Sequence, residues 1–222
     1  MSLVKRLPSG YGTAHKLASG NHCQLFETRI EASHPVVPLH QFMHSVAVDL
    51  TDLEFSLESL PGVFSQQRLD AGTRLLLEHL PRTLTPPIFD FACGSGVIAA
   101  TVHKRQPAKL YLSDVNPLAV TAAQHNLTGT NAEVFLNDGL PEDIEPLGTI
   151  VSNPPFHTGL KTDYRIARQF ISDAYQSLRK GGDLYLVANR FLPWPEAIEA
   201  SFGHCQRIVE TNKFCVYHAQ RK

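Results

Sequence analysis

From Pro87 to the C-terminus, short apolar runs alternate with stretches of helical period. A short apolar strand cannot bury itself, and an amphipathic helix needs an apolar surface to sit on. Together they predict a parallel sheet covered by helices, an α/β fold. Ile88–Ala92 reads as the first strand, followed by a glycine turn and a helix to about Arg105. Lys109–Ser113, Ala132–Leu136 and Thr149–Ser152 read as further strands, and Pro117 suits the first turn of a helix reaching Leu127. Between Asp163 and Leu178, residues Ile166, Phe170, Ile171, Ala174 and Leu178 line one helical face, and Gly181-Gly182 is expected to end that helix. Asp183–Ala188 follows as a buried strand. Cys205–Thr211 and Phe214–Ala219, joined at Asn212-Lys213, read as an antiparallel hairpin.

The first 59 residues lack this order and read as a loop-rich N-terminal extension, with residues 60–222 as the main domain. Lys16-Leu-Ala-Ser-Gly-Asn-His-Cys-Gln-Leu-Phe26 is similar in pattern to Arg207-Ile-Val-Glu-Thr-Asn-Lys-Phe-Cys-Val-Tyr217. Either the extension is the closing hairpin of a second, related domain, or two short apolar stretches match by chance.

Composition narrows the class. The 222 residues are 43% hydrophobic and 18% charged, as in an ordinary globular protein, with no apolar run of about 20 residues to span a bilayer. The start of the chain has no signal-peptide core, and four cysteines without CxxC spacing predict reduced thiols in the cytoplasm rather than disulfides or zinc. Eleven histidines show no HExxH, so no metal is expected. The formal net charge of -1 leaves little for a general grip on nucleic acid.

Asp90-Phe-Ala-Cys-Gly94-Ser-Gly96 lies where the first strand meets its helix. One glycine there permits a turn at positive φ, another lets a ligand approach the backbone, and the helix start favours polar or anionic groups. Asp114, at the end of the second strand, is placed to take the hydroxyls of an adenosine ribose. Gly94-Ser-Gly96-Val-Ile-Ala99 also fits GxGxxA, so an NAD-dependent oxidoreductase competes with other nucleoside cofactors. Asp90 shifts the balance toward S-adenosylmethionine, because a carboxylate there suits the amino group of a methionine moiety. After the third strand, Asp138 is positioned to accept from an adenine amino group, although Asn137-Asp138-Gly139 is also the composition of an everyday turn.

Thr149-Ile-Val-Ser-Asn153-Pro-Pro-Phe156 is the most specific stretch. The two prolines lock φ and lack N–H donors, so the Pro154 carbonyl is free to face a cleft. An exocyclic base amine is a poor nucleophile, its lone pair being delocalised into the ring. If the Asn153 side-chain oxygen and the Pro154 carbonyl each accept one of its protons, the nitrogen is drawn toward tetrahedral geometry. Phe156 would stack on the base. Positioning and matched dipoles carry such a reaction.

These motifs, with Leu60-Pro-Gly-Val-Phe-Ser65, Leu69-Asp-Ala-Gly72, Ser152-Asn-Pro-Pro-Phe-His157, Val187-Ala-Asn-Arg-Phe-Leu-Pro193 and the hairpin around Lys213-Phe214, resemble the ribosomal RNA small subunit methyltransferase C family from Leu60 onward. The resemblance implies a class I S-adenosylmethionine-dependent methyltransferase fold. That is a Rossmann-like, seven-stranded, mostly parallel sheet with a C-terminal antiparallel hairpin. It implies methylation of the 2-amino group of a guanine in 16S ribosomal RNA, with the rRNA within the small ribosomal subunit as the expected partner. Asn153, Pro154 and Phe156 would be catalytic. Asp90, Cys93, Gly94, Gly96, Asp114, Val115, Asp138, Gly139 and Asn153 would hold the cofactor. Phe156, His157, Lys161, Arg190 and Lys213 would meet RNA, with Arg165 and Arg168 on the same basic rim, and Phe64 and Asp70 would line the cofactor entrance. The family also carries a duplicated, inactive N-terminal half, whose end Cys23-Gln-Leu-Phe26 resembles. A protein glutamine N-methyltransferase uses the same Asn-Pro-Pro-aromatic logic and is the alternative, although its aromatic is usually Tyr.

Overall fold

The computed structural model describes residues 11–20, 23–31, 37–155 and 163–222, leaving aside the side chains of 163–167. The chain divides into two units, Met1–Gln41 and Phe42–Lys222. In the first, β1 (His15–Gly20) and β2 (Cys23–Glu27) form an antiparallel hairpin.

The second unit is built on a seven-stranded sheet. Its strands are β5 (Ile88–Phe91), β6 (Leu110–Asp114), β7 (Ala132–Leu136), β8 (Leu147–Ser152), β9 (Leu178–Asn189), β10 (Gln206–Glu210) and β11 (Phe214–Gln220). The spatial order is β10-β11-β9-β8-β5-β6-β7, with only β11 antiparallel to its two neighbours. β5 and β8 lie at the centre, and every residue of β8 is buried, as expected of a strand covered on both faces. One face carries α1 (Ala71–His79) and α2 (Val97–Arg105), packed through Leu76, Leu77, Ile98 and Val102. The other carries α4 (Asp163–Ser177) and α5 (Trp194–Phe202), packed through Phe170, Ile171, Trp194 and Ile198. α3 (Pro117–Asn126) begins at Asn116, whose side chain accepts the Leu118 N–H.

Three elements depart from the sequence expectations. Residues 42–59, grouped there with the extension, belong to the larger unit. They form an antiparallel hairpin, β3 (His44–Asp49) and β4 (Glu54–Ser59), whose Val46, Val48 and Leu57 enter its core. Asp52 in the hairpin turn holds it there, accepting from Arg105 Nε at 3.0 Å and Nη2 at 2.8 Å with both side chains 8% exposed. Gly181-Gly182 does not end α4. That helix stops at Ser177, and the glycines lie in an irregular stretch of β9, pinned by the Gly181 N–H to the Arg221 carbonyl at 2.7 Å. α1 and α5 are helices that the sequence pattern left unassigned; Trp194, expected as a packing anchor, is buried at the start of α5.

The two hairpins that resemble each other in sequence also share their register. His15↔Glu27, Lys16↔Phe26, Ala18↔Leu25 and Ser19↔Gln24 correspond pair by pair to Gln206↔His218, Arg207↔Tyr217, Val209↔Val216 and Glu210↔Cys215. Each skips one residue at the same point, Leu17 in one and Ile208 in the other.

Candidate active site

The site lies at the carboxyl edge of the central strands, where the chain leaves each strand and backbone groups no longer have ladder partners. After β5 the chain turns through Ala92 at φ 55°, Gly94 at φ 55° and Gly96 at φ 80° before α2 begins. Three contacts fix the turn: Cys93 N–H to the Ser113 carbonyl at 3.0 Å, Gly96 N–H to the Cys93 carbonyl at 2.9 Å, and Gly94 N–H to Asp114 Oδ2 at 2.8 Å. A Cβ on Gly96 would lie 3.2 Å from Ala123 Cβ, whereas one on Gly94 would meet no atom of the described residues within 4 Å. Gly96 therefore serves packing, and Gly94 leaves open space above the turn.

Asp114 ends β6, and its other oxygen accepts the Asn116 N–H at 2.9 Å, so the carboxylate is rigidly placed with lone pairs to spare. Val115 beside it is 64% exposed, as is Leu136 (61%) at the end of β7. The Ser113 hydroxyl donates to the Gly139 carbonyl at 2.7 Å and the Asn137 N–H to the Asp114 carbonyl at 3.1 Å, tying the 137–139 turn to β6. Asp138 itself is exposed.

Asp90 is 2% exposed; Oδ2 accepts the Ala99 N–H at 3.1 Å, and Oδ1 has no partner among the described residues. Burial lifts its carboxyl to about 8, against the lowering effect of that hydrogen bond, and the Asp114 charge adds to the rise. A buried carboxyl with an unused oxygen calls for a partner from outside the chain, and a cationic amino group is the chemical fit. Cys93 is buried, and burial raises its thiol well above the usual range, so it packs the turn and is not a nucleophile.

At the end of β8, Asn153 is half-buried, Pro154 buried and Pro155 exposed. Asn153, Gly94 and Cys93 line one cavity with Val46, Val48 and Leu57 of the β3–β4 hairpin and with Phe64, Arg68, Asp70 and Thr73. The glycine turn, Asn153 and the Leu69–Gly72 stretch therefore meet at one cavity. Phe64 is 63% exposed, and Asp70 accepts a hydrogen bond from Asn153. Thr73, Arg68 and the hairpin residues were not anticipated. No local signal pointed to them: an acidic N-cap such as Asp70 before α1 is the ordinary start of a helix.

Phe156, His157 and Lys161 lie outside the described residues, as does the Arg165 side chain. Of the remaining basic positions, Arg168 is exposed, Arg190 pairs with Glu210 at 3.3 Å, and Lys213 sits 4.9 Å over the Phe214 ring. Arg190 also lies 5.0 Å over the ring of Phe191, which is 75% exposed.

This arrangement agrees with comparison to known proteins. Residues 54–218 match the family model of the methyltransferase small domain. Ribosomal RNA small subunit methyltransferase C of Idiomarina loihiensis is 43% identical over 98% of this chain and 66% of its own length. Its namesake from Shewanella baltica is 40% identical over 100% of this chain and 64% of its own. The chain thus spans just under two thirds of the length of these relatives. Among solved structures, the T. thermophilus 16S rRNA N2 methyltransferase RsmC, in complex with AdoMet and guanosine, matches with a TM-score of 0.78 at 25% identity, covering 94% of this chain and 58% of that one. The ribosomal protein L11 methylase of Lactobacillus delbrueckii shares the fold, with a TM-score of 0.55 at 19% identity over 73% of this chain and 90% of its own. The expected resemblance holds, and the choice that GxGxxA left open between oxidoreductase and methyltransferase is decided: with a class I methyltransferase sheet and the matching motifs in place, this chain belongs to the methyltransferase small domain family.

Proposed function

We propose that this chain is the methyl-transferring part of an S-adenosylmethionine-dependent N-methyltransferase that modifies the 2-amino group of a guanine in 16S ribosomal RNA. The observation that carries the proposal is that Asn153 and Gly94 line one cavity, which brings an amide acceptor beside a nucleoside-binding turn. The solved relative that binds AdoMet and guanosine supports the same pairing.

S-adenosylmethionine supplies an electrophilic methyl group on sulfur. Asp90, through its unpartnered oxygen, would hold the methionine amino group, and Asp114 the ribose hydroxyls, with Cys93, Gly94, Gly96, Val115, Asp138 and Gly139 shaping the remainder. Asn153 Oδ1 and the Pro154 carbonyl would accept the two protons of the guanine amine and aim its lone pair. The proton leaves after transfer, when the nitrogen has become cationic, so no strong base is required. Phe156 would stack on the base, which must be unstacked from its neighbours to enter.

The net charge of -1 and the pairing of Arg190 with Glu210 leave this chain little electrostatic hold on RNA. His157, Lys161, Arg190 and Lys213 would contribute local contacts at the rim. The assembled small ribosomal subunit, in the cytoplasm, is the substrate this favours. The shared bulge and register of the β1–β2 and β10–β11 hairpins support reading the N-terminal extension as the closing hairpin of a second methyltransferase-like domain.

The test is transfer of labelled methyl from S-adenosylmethionine to unmodified small subunits, read as digested nucleosides. Label is expected in 2-methylguanosine. Asn153→Ala should lower turnover on the order of 100-fold or more with cofactor affinity nearly unchanged. Label on a protein glutamine instead would select the alternative substrate.

A further inference from the structure

Asn153 can act as an acceptor only if its amide is turned the right way. The group is nearly symmetric in shape, yet one end donates and the other accepts. Its Nδ2 lies 3.1 Å from Asp70 Oδ2 and 2.8 Å from Thr73 Oγ1. Asp70 caps α1, and the same Oδ2 accepts the Thr73 N–H at 3.0 Å. A carboxylate oxygen offers no proton, so reversing the amide would set Oδ1 against Oδ2, two acceptors facing each other. Thr73 is 3% exposed, which leaves little water to compensate for a lost partner. Space for the arrangement is reserved by Gly72, where a Cβ would come 3.0 Å from Asp70 Oδ2 and 3.1 Å from the Phe214 ring.

The geometry points to Asp70 and Thr73 as positioning residues that occupy both N–H donors of Asn153 and thereby present its Oδ1 to the cavity. This rests on the proposed role of Asn153 as acceptor of an exocyclic amine. An unlocked amide would spend part of its time offering N–H to N–H, which repels the amine and leaves its lone pair unaimed. The first turn of α1 thus belongs to the catalytic apparatus without touching the reacting atoms. Its contribution falls on turnover and not on cofactor binding.

Three variants of the full chain separate this from a merely structural role. Thr73→Val removes the hydroxyl and keeps the shape; Thr73→Ser keeps the hydroxyl; Asp70→Ser retains a capping oxygen for α1 but is too short to reach Asn153. With small subunits as substrate, Thr73→Val should lower kcat roughly fivefold and Asp70→Ser on the order of 10- to 100-fold. The affinity for S-adenosylmethionine should stay within about twofold and Thr73→Ser should restore kcat, as expected of a group acting only on the aimed amine. The Asn153 side-chain amide, assigned by its loss from the ¹⁵N spectrum of Asn153→Ala, gives a readout independent of turnover. Its protons should be shielded from solvent exchange in the wild type and become at least about tenfold faster in Asp70→Ser. Wild-type exchange with no shielding, or shielding unaltered in both Asp70→Ser and Thr73→Val, overturns the lock. Shielding that behaves as expected in a chain that methylates no guanine sinks the substrate assignment instead. Wild-type kcat in both variants, with exchange accelerated, shows that the lock exists but does not aim the reaction, and also refutes the proposal.

Discussion

Gly94 and Gly96 sit two residues apart in the same turn, both at positive φ, and the structure predicts that alanine will do different things to them. In the left-handed region an L-residue pays about 1–2 kcal/mol, of which roughly 0.4–1 kcal/mol is returned because alanine restricts the unfolded chain. That is all Gly94→Ala should cost, since its Cβ meets no atom of the described residues within 4 Å. Gly96→Ala adds a contact at 3.2 Å with Ala123 Cβ and 3.4 Å with Ala123 Cα, on a helix that cannot swing away freely. Overpacking of this kind costs about 1–3 kcal/mol more. For a unit of this size, 1 kcal/mol moves Tm by about 2–4 °C. Gly94→Ala should therefore lower Tm by roughly 1–4 °C and Gly96→Ala by roughly 3–16 °C. Cofactor binding should follow the opposite order. The open space above Gly94 is where a bound nucleoside cofactor would approach the backbone, so a methyl group there should weaken S-adenosylmethionine about tenfold or more, equivalent to about 1.4 kcal/mol. Thermal unfolding and calorimetric titration measure both quantities on the same samples. If Gly94→Ala binds cofactor as tightly as wild type, the ligand does not pass over Gly94. If its Tm falls as far as that of Gly96→Ala, the distinction between packing and approach is mistaken.

Two further expectations concern charge. Asp90 is held protonated to about pH 8 by burial, so the native state carries an extra proton between about pH 4 and 8 and this group's contribution to stability declines as pH rises through that window. The Tm of ligand-free Asp90→Asn should gain on wild type from pH 5 to pH 8, and parallel curves would show that the carboxyl ionises normally. Arg105→Ala leaves Asp52 in the β3–β4 turn paired with the exposed Arg82 and should cost about 3 kcal/mol in urea unfolding at pH 7. Because the Arg105 hydrogen bond holds the Asp52 carboxyl below its ordinary 3.8, the deficit should shrink as pH falls below that value; a deficit independent of pH would argue that packing, not charge, is what Arg105 supplies.

The central strands were legible because their burial is written into composition. β5 and β8 are covered on both faces, so they read as short runs of apolar and small residues between turn signals, interrupted in β5 by Asp90. β3 and β4 were not legible for the converse reason. His44-Ser-Val-Ala-Val-Asp49 and Glu54-Phe-Ser-Leu-Glu-Ser59 alternate over only six residues each, and just one face of the pair reaches the core. A short alternation amid polar residues carries little weight until something is packed beneath it. Gly181-Gly182 misled because a glycine pair after an apolar helix is the ordinary stop signal. Here Leu178 pairs with Leu147 before the glycines are reached, and the closed ladder overrides the local preference.

The site divides the same way. Asp90, Gly94, Asp114 and Asn153 each lie near a strand end, where a local pattern states both the turn and the proposed chemistry, and these four are candidates that the sequence alone offers. What orients them could not. Asp70 and Thr73 are 83 and 80 residues from the amide they hold, and a capped first turn of a helix looks the same whether its cap serves the helix alone or a second group as well. The difference lies in a spare lone pair. The Asp70 oxygen that accepts the Thr73 N–H has capacity for one more donor, and only the path of the chain after β8 decides that the donor is Asn153. A motif can therefore specify which group acts, while the direction in which it acts is settled by partners that no local pattern contains.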